Sequence, residues 1–80
     1  MSYQQAELEP REVGSRIWAM RLRSRLELDQ LAKVLGMDLA RLAALEDGED
    51  APTRAELVSL ALGLRCSLAF LQTGAERRHA

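Results

Sequence analysis

The sequence predicts an all-α domain of five short helices, and three observations carry that expectation. Apolar residues make up 48% of the chain but aromatics only 4%, and the apolar set is mostly Leu and Ala, which favour helix over strand. The apolar positions recur at spacings of three and four, the period of one helical face. Asp38, Thr53 and Ser67 each stand just ahead of such a stretch, where a short oxygen-bearing side chain caps free backbone N–H groups.

Taken in order, residues 1–9 are polar with little periodicity and read as a flexible leader. Pro10 suits a first helical turn, and Val13, Ile17 and Met20 share one face of a first helix expected to run to about Arg25. Asp29 with Leu31, Ala32 and Leu35 gives a second helix stopped by Gly36, since glycine readily takes the left-handed conformation past a helix end. Asp38 caps a third helix with Leu42 and Leu45 inward, and the run from Glu46 to Pro52 reads as a loop. Thr53 with Glu56 forms a capping box for a fourth helix, whose buried stripe is Leu57, Leu60, Ala61 and Leu64. Ser67 caps a last short helix closed by Thr73 and Gly74, and residues 75–80 read as a flexible tail.

Eighty residues hold one domain, here 10–74, and a chain of this size buries only about 60% of its unfolded surface. One cysteine, Cys66, excludes an internal disulfide, and one histidine, His79, leaves neither metal-ligand spacing nor a Cys/His nucleophile pair. There is no glycine-rich phosphate loop, so no enzyme and no cofactor are expected. The chain shows no signal peptide and no membrane-length apolar run, which points to the cytoplasm and no membrane partner. The net charge is −1 with a pI near 5.8, whereas a nucleic-acid binder is normally basic.

Two short helices about the tight turn in Leu31-Ala32-Lys33-Val34-Leu35-Gly36-Met37 are the signature of a helix-turn-helix. With Ile17, Met20 and Arg21 before them, and Leu42, Leu45, Glu46, Gly48 and Pro52 after, the chain resembles the XRE family, the Cro and phage-repressor class. Leu64, Ser67 and the ending Leu71-Gln72-Thr73-Gly74 extend the resemblance, which covers about Gly14 to Gly74. It implies a five-helix phage-repressor-like helix-turn-helix domain. It also implies a partly buried structural ion pair between Arg21 and Glu46, whose loss of one partner would cost about 3 kcal/mol.

In that family the third helix lies in the major groove and polar side chains near its start read base edges. The matching positions are Leu39, Ala40, Ala43 and Ala44, none of which can hydrogen-bond through its side chain. Leu28 stands where the family usually has a phosphate-contacting Gln, and Arg41 alone keeps a polar head. Leu39 lies about 90° from the Leu42/Leu45 direction, so it either flanks the core or faces out. The three alanines are expected to point away from the core. From Gly36 to Asp50 there are five acidic residues and one basic one, and the phosphate-contact candidates are Arg23, Arg25, Lys33, Arg41 and Arg54.

Trp18 and Leu22 on the first helix, and Leu62 and Phe70 near the end, are apolar where the family is usually polar. They read as a secondary interface, the last two for a homodimer, or as an enlarged core under the leader. Two functions therefore stand. The residues favour a regulator that binds a partner protein, such as an antiactivator masking a transcription factor, through an apolar face of Leu28, Leu39, Ala40, Ala43 and Ala44 around Arg41. The alternative is a dimeric, sequence-specific repressor on double-stranded DNA, with Arg41 and DNA shape carrying specificity.

Overall fold

The computed structural model describes residues 8–75. Five helices follow one another: α1 (Pro10–Arg23), α2 (Leu28–Leu35), α3 (Leu39–Glu46), α4 (Arg54–Leu64) and α5 (Leu68–Thr73), with no strand among the described residues. Residues 1–7 of the expected leader and 76–80 of the tail, with His79, lie outside the described residues. Leu8, at the end of the leader, packs against the core.

The core draws on every helix: Val13 and Ile17 from α1, Leu31 and Ala32 from α2, Leu42 and Leu45 from α3. Leu57, Leu60, Ala61 and Leu64 come from α4 and Leu71 from α5. These are the inward positions of the three-and-four periodicity, and removing them from water is the main force that holds such short helices, which are marginal alone. α1 packs on α3 and α5, and α2 wedges between α3 and α4.

The capping oxygens act where the sequence placed them. Asp38 accepts from the Arg41 backbone N–H at 3.4 Å, Ser67 Oγ from that of Phe70 at 2.9 Å, and Thr53 Oγ1 from that of Glu56 at 3.1 Å, while Glu56 returns a contact to the Thr53 N–H at 2.9 Å. Two boundaries differ from expectation. α1 ends at Arg23, because Arg25 takes a left-handed φ of 59° and the Leu26 N–H turns back to the Arg21 carbonyl. α2 starts at Leu28 with Glu27 as its cap, and the Glu27 N–H donates to Gln30 Oε1 at 2.7 Å, so Asp29 is a first-turn residue.

Gly14 sets how closely α1 lies on α3. A Cβ there would meet the Leu45 carbonyl oxygen in a severe clash and stand 2.7 Å from that of Glu46, so the two backbones touch only because the side chain is a hydrogen.

Candidate nucleic-acid interface

α2 and α3 meet through Gly36, Met37 and Asp38. Gly36 holds φ 66°, the left-handed conformation glycine tolerates best, and the Met37 N–H closes back on the Ala32 carbonyl. The turn leaves α3 with its Leu42/Leu45 stripe buried and its first turn facing out.

On that outer surface Leu39 is 47% exposed and Ala40 is exposed. Lys33 is exposed on α2 and, with Asp29, Met37, Asp38 and Leu39, lines a shallow groove across the turn. Three expectations need correction. Ala43 and Ala44 are half-buried rather than outward, because α1 and α2 both pack on α3 and leave little surface for so short a side chain. Leu28 is half-buried against the core, since α2 begins one residue earlier and turns it inward.

Arg41 does not stand free on α3; its guanidinium reaches the start of α4. Nε and Nη2 donate to the two carboxylate oxygens of Glu56, each at 2.9 Å. Nη1 donates to Asp50 Oδ2 at 2.8 Å and Nη2 to the Ala51 carbonyl at 3.4 Å. The charge-assisted bond from Arg41 holds the Glu56 carboxyl down to about 2. The same guanidinium lowers Asp50, and Arg41 itself is raised, first by its bond to Glu56. Sequence reasoning missed both carboxylates as partners of Arg41. The capping box was the available signal for one of them, because it fixes Glu56 at the head of α4.

Arg21 makes a second fork. Nε donates to Glu46 Oε2 at 2.6 Å and Nη2 to Oε1 at 2.9 Å, while Nη1 donates to the Leu26 carbonyl at 2.9 Å. This joins α1, the loop after it and the last residue of α3. Bonding to Glu46 raises the Arg21 guanidinium further.

Trp18 and Leu22 lie exposed one turn apart on α1, and Leu62 is 75% exposed on α4. Phe70 is instead half-buried against the core, since α5 folds back on α1 and α4. Val34 and Val58, which sequence reasoning did not single out, are also exposed. Arg23, Arg25, Lys33 and Arg54 are exposed and unpaired among the described residues. No group of His, Cys, Asp and Glu among these residues could hold a metal ion, and no helix is long and apolar enough to cross a membrane.

Known proteins share this arrangement. The P22 c2 repressor, solved in complex with a synthetic operator, is 27% identical, with a TM-score of 0.75 over 88% of this chain and 100% of that one. A helix-turn-helix transcriptional regulator from Vibrio cholerae is 30% identical with a TM-score of 0.73, over 79% of this chain and 35% of that one. The restriction-modification controller C.AhdI from Aeromonas hydrophila has the same fold at 23% identity and a TM-score of 0.72, over 76% of this chain and 92% of that one. No curated protein matches the chain. The helix-turn-helix family model matches residues 19–71, from the middle of α1 to α5, and the chain belongs to the XRE-type helix-turn-helix family of transcription regulators.

Proposed function

We propose that this protein is a small cytoplasmic transcription regulator that docks α3 against operator DNA. The observation that carries this reading is the intact α2–Gly36–α3 unit, held in the frame of a repressor whose structure includes a synthetic operator. Leu39 and Ala40 offer apolar contact to thymine methyls, while Lys33 and Arg54 offer charge to phosphates. With so few polar readers, discrimination falls on DNA shape more than on base edges. Leu62 is the α4 residue that a second copy would cover, placing two α3 helices on a two-fold site.

Fluorescence anisotropy with duplexes from the DNA upstream of its own gene tests this. Binding should weaken linearly in log–log form as salt rises, and Lys33→Ala with Arg54→Ala should flatten that slope by about 2. Absence of binding at about 50 mM salt, where phosphate attraction is strong, overturns the reading.

A second reading rests on Arg41. With its guanidinium bound to Glu56 and Asp50, the outer face of α3 presents Leu39 and Ala40 and no free hydrogen-bonding side chain between them. Such a face suits an apolar protein partner, as an antiactivator masking a transcription factor would use. Here Leu39→Asp should abolish co-purification of that partner while thermal unfolding is unchanged.

A further inference from the structure

We propose that Glu56 and Asp50 mask Arg41 from nucleic acid, so that the domain carries a built-in competitor for its own phosphate-binding arginine. The inference rests on the DNA-docking reading and names a control on it.

A guanidinium has five N–H donors. Four hydrogen bonds leave the Arg41 head within the molecule, two to Glu56, one to Asp50 and one to the Ala51 carbonyl. The Nε–Nη2 edge is filled by the Glu56 carboxylate, and each nitrogen of the other edge already donates once. One N–H on Nη1 remains. Carboxylate and phosphate present the same pair of oxygens to this fork. Glu56 therefore occupies Arg41 as a DNA phosphate would, and a phosphate can be gripped in two-point fashion only after that carboxylate leaves.

The location gives the mask its consequence. Arg41 lies in the first turn of α3, Glu56 in the first turn of α4, and exposed Arg54 is the first residue of α4. The side chains of Arg41, Glu56 and Asp50 are 29%, 23% and 62% exposed, so solvent and an incoming polyanion both reach the pair. In the masked state Glu56 and Asp50 offset the charges of Arg41 and exposed Arg54, so the corner has no net positive charge to draw phosphate. Neutralising the two carboxylates leaves both arginines positive.

Amide variants keep the caps while removing the negative charge and one acceptor from each carboxylate; Glu56 Oε1, which caps Thr53, also accepts from Arg41 Nη2, so the variants loosen the grip on Arg41 without erasing it. Gln at 56 still offers an oxygen to the Thr53 N–H, and Asn at 50 still offers one to the Ala51 N–H, so the contacts at 2.9 Å in each place are retained. Anisotropy of the full chain with labelled duplexes would compare the wild type with D50N/E56Q, R41A/D50N/E56Q and D47N/E49Q. The last removes the same two charges from the neighbouring loop. D50N/E56Q should bind about tenfold tighter at about 0.1 M salt, with a salt slope steeper by about 0.9 for one added phosphate contact. R41A/D50N/E56Q should lose that gain. Circular dichroism melting checks the fold of each variant, and E56Q alone serves where the double variant unfolds.

An equal gain in D47N/E49Q, or a gain that survives R41A, assigns the effect to bulk charge and overturns the mask. If the wild type binds and D50N/E56Q shows no gain, the mask fails while DNA docking stands. A wild type that binds at about 50 mM salt but not at about 0.1 M, beside a D50N/E56Q that binds at both, supports the mask. If no variant binds any duplex at about 50 mM salt, both are overturned.

Discussion

Arg21 and Arg41 make the same two-point fork to a glutamate, yet they sit in different surroundings. The side chains of Arg21 and Glu46 are 12% and 6% exposed, whereas those of Arg41 and Glu56 are 29% and 23% exposed, with a second carboxylate, Asp50, more open still. Geometry is therefore not what separates them. Burial is: a charge left alone where water cannot reach it carries its full desolvation cost, while one at the surface is rehydrated. The first pair is a fastener between α1 and α3. The second lies where water or another ligand can take a lost partner's place, so exchanging it costs the fold less than breaking the first.

The comparison breaks most sharply if each pair loses one partner. Glu46→Gln should destabilise the domain by about 3 kcal/mol, because it leaves the Arg21 charge buried, and thermal unfolding would detect this as the largest shift of the series. Glu56→Gln should move the melting temperature less, because the Arg41 head it leaves is rehydrated and keeps Asp50. Similar losses from both would mean that burial does not distinguish the pairs. Gly14→Ala attacks the same α1–α3 seam without touching a charge. It forces a Cβ onto the Leu45 and Glu46 carbonyls, and a cost of about 2 kcal/mol is expected by urea unfolding.

Smaller effects sharpen the contrast. Thr53→Ala removes the cap hydroxyl shared with Glu56 and should cost about 1 kcal/mol. Acid titration reads the Arg41 cluster, where both Glu56 and Asp50 are lowered by the guanidinium. The Glu56 carboxyl titrates near 2 in the fold against an ordinary 4.5. The stability it contributes is thus fully present above pH 4.5 and lost as pH falls through about 2. Melting curves across this window should show the loss in the wild type and a shallower one in E56Q.

What was legible in the sequence is what is encoded locally. Asp38, Thr53, Ser67 and Gly36 announce helix ends through their own chemistry, and the Leu spacing of α4 names its buried face. The end of α1 was misread because Arg25, a residue without such chemistry, takes a left-handed φ of 59° that glycine usually supplies, and the start of α2 because Glu27 rather than Asp29 caps it. The candidate site was half legible. Leu39 and Ala40 do lie on the outer face, but the burial of Leu28, Ala43, Ala44 and Phe70 depends on how neighbouring helices close over them. The partners of Arg41 are nine and fifteen residues away in sequence. A spacing of that kind has no period to reveal it.

The seam at Gly14 has a consequence for how this protein can change over generations. α3 is eight residues long; its last turn is clamped by the α1 backbone and by Arg21, while its first turn projects Leu39 and Ala40 outward. Under the proposed docking, stability and recognition thus occupy opposite ends of a single short helix. New side chains can be tried at the free end without loosening the clamped one, so target preference can drift while the scaffold stays fixed.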